Sequence, residues 1–205
     1  MPVPTLEVGL HYNIPASTYH QLPYISSSFL KKFRVNPAAA LIPTEPTDDM
    51  NLGSAIHAYS LEGPEAFTAE FAVMFESDLN KNTNAYKALR AEFEAANVGK
   101  IILPAQFKGV PTRDIICGVD ASLKNHPLAS QFLRSGNQEV TLIWDDPGTG
   151  ARCKARLDWN PGKSVLVDLK KTADVEKFKN QEIFANIILK KSERSPLASL
   201  AAELL

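Results

Sequence analysis

Two alternating stretches, residues 138–145 (QEVTLIWD) and 151–159 (ARCKARLDW), flank the turn-rich pentapeptide 146–150 (DPGTG). Alternation assigns faces, because successive residues of a strand point to opposite sides of a sheet. Two such runs joined by a short Gly-containing insert make a β-hairpin. In the second run Cys153, Ala155 and Leu157 share one face, and Lys154, Arg156 and Asp158 share the other. Asn160-Pro161-Gly162 forms a further turn, and residues 164–170 (SVLVDLK) form a third strand. On that strand Val165, Val167 and Leu169 face one side; Leu166, Asp168 and Lys170 face the other. A helix is predicted to follow from about Ala173.

Upstream of this meander the pattern is helical. The first twenty or so residues read as extended and Pro-punctuated. A serine of Ser26-Ser27-Ser28 can cap a helix that runs through FLKKF and stops before Pro37, since the residue preceding proline is pushed out of helical geometry. Residues 42–49 form a polar loop. Residues 51–63 carry Leu52, Ile56 and Tyr59 at helical spacing, with Gly63 as the stop. Gly53 and His57, four apart, lie on one face of that helix. Residues 70–75 suggest a short strand and 84–97 a helix. Residues 111–124 suggest a helix with the stripe Ile115, Ile116, Val119 and Leu123, and Pro127 opens another that closes at Gly136. Helices, then a meander, then a helix is an α+β pattern, with a mixed sheet if residues 70–75 or 100–103 add a strand.

Composition narrows the class. With 205 residues, 44% of them hydrophobic, and a net charge of -1, the chain has the apolar content for one domain with a core, spanning 1–205. Two cysteines, Cys117 and Cys153, are too few for a disulfide scaffold and sit on apolar positions, as inert core thiols would. No apolar run is long enough to span a membrane, and the first residues lack the basic and apolar regions of a secretory signal. A cytoplasmic protein with no membrane partner is expected. The charge is uneven: residues 1–150 carry -5 and residues 151–205 carry +4, which offers a polyanion a local basic surface.

The meander also gathers acids. Asp168 and Lys170 share a strand face, a short turn brings Asp158 alongside Asp168, and Glu139 sits at the start of the hairpin. Clustered carboxylates repel one another unless a divalent cation sits between them. Mg²⁺ takes oxygen ligands, commonly one or two carboxylates plus water and substrate phosphate. A lysine beside such an ion can hold a scissile phosphate or position water. An Asp-x-Lys on an exposed strand also serves as a plain ion pair worth under about 1 kcal/mol. The apolar run Val165-Leu166-Val167 places this one at the end of a core strand instead. Arg152, Lys154 and Arg156 share Asp158's face, either to contact phosphate or to screen the acids. His11, His20 and His126 read as surface or loop residues, and Trp144 and Trp159 as sheet packing.

Four segments together resemble the PD-(D/E)XK nuclease superfamily. They are ISSSFLKKFRVNPAA (25–39), LGSAIHAYSLEG (52–63), EVTLIWDDPGTGARCKARLDW (139–159) and VDLKKTADVEKF (167–178). More narrowly they resemble the exodeoxyribonuclease VIII (RecE-type) C-terminal nuclease domain and its phage relatives, over about residues 25–180. The resemblance implies a restriction-endonuclease-like core, a mixed β-sheet flanked by helices. It implies His57, Asp158 and Asp168 as metal ligands with the Leu169 carbonyl, Lys170 as the catalytic lysine, and Glu139 beside the site. It implies Arg156, Lys171 and Thr172 on the DNA backbone, and Gly53 as a point of close helix packing. The cofactor would be Mg²⁺, with Mn²⁺ able to substitute.

The activity so implied is Mg²⁺-dependent hydrolysis of linear double-stranded DNA from its ends, 5′ to 3′, in phage-type recombination. Such enzymes can form homo-oligomeric rings and work with a single-strand annealing protein. Gln181 matches part of the family's Gln–Tyr element but no tyrosine follows it. Residues 181–205 therefore read as a divergent or truncated tail, which would weaken DNA positioning and leave the metal site intact. The alternatives are a non-catalytic DNA-binding or assembly module on a nuclease fold, and an endonuclease of the same superfamily.

Overall fold

The first unit of the chain begins with strand β1 (Gly9–His11), helix α1 (Ala16–Gln21), helix α2 (Ser27–Val35) and helix α3 (Pro37–Ala40). In this computed structural model, which describes residues 5–162 and 167–169, Cα packing separates two compact units. One comprises the residues up to Thr44 and from Ser135 onward; the other is Glu45–Arg134. Helix α1 departs from the extended run expected there. Pro15, which has no amide to satisfy, stands at its N-cap, and its carbonyl accepts the Tyr19 amide at 2.9 Å. The Ser26 hydroxyl caps α2 by accepting the Phe29 amide at 3.2 Å. That helix ends where Asn36, before Pro37, turns extended and caps α3 in its turn.

The second unit holds α4 (Asp48–His57), a π turn (Ala58–Glu62), α5 (Pro64–Glu70) and β2 (Phe71–Val73). It continues with α6 (Asn84–Ala96), β3 (Ile101–Leu103), β4 (Gln106–Phe107), β5 (Val110–Pro111), α7 (Thr112–Asn125) and α8 (Pro127–Phe132). Thr47 caps α4, and Asp48 and Asp49 favour its positive end. The helix buries Leu52, Ala55 and Ile56, which sit three and four apart. Gly63, at φ +104°, stops the π turn as the sequence pattern predicts. The strands near 70–75 and 100–103 do form, but among the described residues β2 and β3 pair in parallel with each other rather than extending the meander.

Helix α7 corrects the expected stripe. Its buried residues are Thr112, Ile116 and Asp120, four apart, while Ile115, Val119 and Leu123 are half-buried. Cys117 falls off that line and is exposed, its thiol donating to the Tyr59 hydroxyl at 3.8 Å, so it is not a core thiol. Cys153 is buried as expected.

The first unit resumes with β6 (Asn137–Asp145) and β7 (Arg152–Asn160), which form the predicted hairpin. β1 pairs antiparallel with the other edge of β6, giving the order β1-β6-β7. Ile25 adds a parallel bridge to Cys153 on the far edge of β7, so the sheet is mixed there. Register puts Leu10, Leu142 and Ala155 in one row, with Val140 opposite Leu157 and Trp144 opposite Cys153. That is the apolar face predicted from alternation. Gly136 lets the chain enter β6: at φ +153°, a Cβ here would sit 2.5 Å from the Asn160 carbonyl oxygen. The chain is thus α+β. No helix among the described residues is long and apolar enough to cross a membrane.

Candidate active site

The polar face of the hairpin carries the acids. Gln138 pairs with Trp159 and Val140 with Leu157, so Glu139 stands opposite Asp158. On the far edge of β7, Trp159 and Val167 exchange both amide–carbonyl bonds, at 3.1 and 3.0 Å. One step further along this antiparallel pairing, Asp168 is counted opposite Asp158. Three carboxylates therefore line up across three adjacent strand segments. A carboxylate oxygen of Glu139 lies within 4.8 Å of one of Asp158. Glu139 and Asp158 are half-buried and Asp168 is exposed. The Asp158 Oδ2 accepts the Leu169 amide at 2.6 Å, an amide that a continued ladder would give to the Leu157 carbonyl. The strand pairing yields to the carboxylate at that point.

Glu139 adopts φ +51° inside β6. A non-glycine residue in this region costs roughly 1–2 kcal/mol and persists where its surroundings impose it. What holds it is Arg156, whose Nε donates to Glu139 Oε2. The same guanidinium donates to the Ile14 carbonyl at 2.9 Å and lies 5.5 Å from the Tyr19 ring centroid. Of the two roles open to Arg156, screening an acid is the one the structure displays.

The other cations of this face are also engaged. Lys154 is only 7% exposed. Its ammonium donates to the carbonyls of Tyr19 at 2.8 Å and Leu22 at 2.7 Å, with a longer contact to His20 at 3.4 Å, and so caps the C-terminal end of α1. Burial pushes its pKa down. Arg152 makes a forked pair with Asp145 at 2.8 and 3.0 Å. Burial raises the Tyr19 pKa, against the nearby Arg156 charge, and lowers that of His20, where Lys154 and Arg156 add to the effect.

Glu139 and Asp158 are thus brought together, with the Leu169 amide on Asp158 and Arg156 on Glu139; Asp168 is placed opposite Asp158 by register alone. His57 is the last residue of α4 in the second unit, half-buried. Close helix packing at Gly53 is not what the structure has: among the described residues, a Cβ there would meet no atom within 4 Å. The feature of Leu169 that reaches the acids is its amide. Lys170, Lys171, Thr172, the rest of the third strand and the helix from Ala173 lie outside the described residues. Sequence reasoning did not find the Ile14 carbonyl or Tyr19, because nothing local in residues 14–19 marks them as partners of a strand 140 residues away. Of the histidines set aside as surface or loop residues, His126 has a definite task, capping α8 through Nδ1.

The sequence profile of a family described as PDDEXK-like domain of unknown function (DUF3799) matches residues 26–187. The chain belongs to that family. No curated protein matches it. The span matched by the PDDEXK-like family contains the capped helix α2, helix α4 and the whole hairpin with its row of acids. PDDEXK nucleases typically work with divalent metal ions. The donor chemistry fits: the carboxylates of Glu139 and Asp158, on neighbouring strands and within 4.8 Å of each other, offer hard oxygen donors of the kind Mg²⁺ and Mn²⁺ prefer.

Proposed function

We propose that this PDDEXK-like domain is a Mg²⁺-dependent exodeoxyribonuclease that hydrolyses phosphodiester bonds of linear double-stranded DNA. The observation that carries the reading is the acid row of Glu139, Asp158 and Asp168, counted opposite one another across the sheet. A divalent ion bound there supplies charge neutralisation at the phosphate and a more acidic water. Glu139 and Asp158 would hold the cation from two strands, and Asp168 would offer a solvent-facing carboxylate beside them. The Leu169 amide fixes Asp158 by bonding one oxygen, which limits the carboxylate's rotation. Lys170, two residues beyond Asp168, steadies the charge that grows on the phosphate. His57 enters as a ligand on the strength of its place four residues after Gly53 in the family's helix. Lys171 and Thr172 are assigned to the DNA backbone by the same family resemblance. Attack from duplex ends, 5′ to 3′ polarity, assembly as a homo-oligomer, use of Mn²⁺ and work beside an annealing protein rest on the RecE-type resemblance.

One observation favours a second reading, a non-catalytic DNA-binding module. Arg156 forms an ion pair with one acid of the row, Glu139, and so offsets its charge from within the fold. Incubation with linear and circular duplex DNA, with Mg²⁺ or with EDTA, separates the readings. Mg²⁺-dependent loss of linear DNA alone supports an exonuclease. Cutting of circles indicates an endonuclease, and intact DNA in every lane supports the non-catalytic module.

A further inference from the structure

We propose that Arg156 is a positioning residue for Glu139, which presets the acid row for a divalent cation; this rests on the metal-dependent reading above. Arg156 and Glu139 are both largely shielded, their side chains 17% and 20% exposed. The guanidinium is held from three sides: by the Ile14 carbonyl, by the Tyr19 ring and by Glu139 itself. A cation restrained in this way is a fixed post rather than a mobile surface charge. Its planar fork can serve the Ile14 carbonyl and the carboxylate together, which a lysine ammonium on a flexible stem does poorly.

Glu139 is the residue that needs such a post. Its backbone is left-handed in the middle of a strand, so the local chain does not by itself aim the side chain at Asp158. Arg156 takes one oxygen, Oε2, and a carboxylate has two. The pair therefore orients Glu139 without consuming its capacity to bind an ion. This is the relation of an outer partner to a metal-binding carboxylate, whose loss typically weakens metal affinity about 10–100-fold. A bare competing cation would do the opposite and keep a metal out.

The two roles predict opposite signs. Mn²⁺ affinity is measured by calorimetric titration of the full chain for the wild type, R156A, R156K, E139Q and the R156A/E139Q double variant. Each is first checked for folding by tryptophan fluorescence. Positioning predicts about tenfold or greater weakening in R156A. It predicts weakening in R156K as well, since the charge stays but the fork is lost. It predicts no further loss when R156A is added to E139Q. If R156A does not fold, R156K and its combination with E139Q carry the same comparison. Unchanged or tighter Mn²⁺ binding in the arginine variants, or an equal loss in the E139Q background, overturns the positioning role alone. A folded wild type that binds no Mn²⁺ overturns the metal-centre reading, and this role with it.

Discussion

Replacing Lys154 by methionine tests how the hairpin is anchored to the N-terminal segment. Methionine keeps the apolar stem and removes the ammonium. Two short bonds vanish, to the carbonyls of Tyr19 and Leu22, as does the contact 4.9 Å from the Tyr19 ring. Hydrogen bonds to a charged group contribute about 1.5–3 kcal/mol each, and the cation–π contact about 0.5–1 kcal/mol. Against this, the variant no longer buries an ammonium, a cost that shows in the lowered Lys154 pKa. The carbonyls lie at the end of a helix and lose their partner without gaining a new one. The balance is a net destabilisation of about 2–4 kcal/mol. With a urea slope of about 2 kcal/mol/M, the midpoint falls by about 1–2 M. The chain's two tryptophans, Trp144 and Trp159, both lie in the first unit, so tryptophan fluorescence reads that unit's unfolding. A midpoint that is unchanged or raised would refute the reasoning, because burial cost would then outweigh the three contacts.

Gly136→Ala forces a Cβ to within 2.5 Å of the Asn160 carbonyl oxygen and 2.8 Å of Pro161 Cα. It should cost about 2–3 kcal/mol in the same urea assay. Asp158→Asn keeps an acceptor for the Leu169 amide and relieves repulsion, so stability should change by less than about 1 kcal/mol. Mg²⁺-dependent cleavage should fall more than about a hundredfold, beyond the loss typical of residues that only support a ligand; retained cleavage would remove Asp158 from the site. The His20 pKa is lowered on folding, chiefly by burial and then by Lys154 and Arg156. The unfolded chain therefore binds this proton more tightly than the folded one. Stability should be full above the ordinary histidine pKa of about 6.5 and should fall as pH drops below it. Thermal melts from pH 7.5 to 5 should show this slope, and His20→Gln should flatten it.

The hairpin was legible because alternation is a local property. The faces read from ARCKARLDW are those that pair with β6, and register then brings Asp158 to Glu139 without any further information. The partners of the cations on that face were not legible. The carbonyls that receive Lys154 and Arg156 lie 132 to 142 residues earlier in the chain. They lie in or beside a helix, Ala16–Gln21, that a proline-punctuated segment hides: Tyr19 is within it, and Ile14 and Leu22 flank its ends. The α7 stripe was incomplete for a different reason: hydrophobicity does not flag polar residues that are buried with partners. Thr112 bonds the Pro104 carbonyl, and Asp120 takes the Lys124 ammonium at 2.7 Å. Each becomes compatible with burial only once those partners are in place.

The same distinction bears on the acids. Two carboxylates within 4.8 Å repel by about 3 kcal/mol or more at the effective dielectric of a protein surface. A sequence that gathers them must hold compensation elsewhere. Here Arg156 offsets Glu139, and the Leu169 amide offsets Asp158. Asp168 stands exposed on the outer segment. Exposure is graded along the row, from half-buried Glu139 with its fixed guanidinium, through half-buried Asp158, which accepts the Leu169 amide, to exposed Asp168. That gradient points outward to solvent, the direction from which a cation and the phosphate it accompanies would have to come.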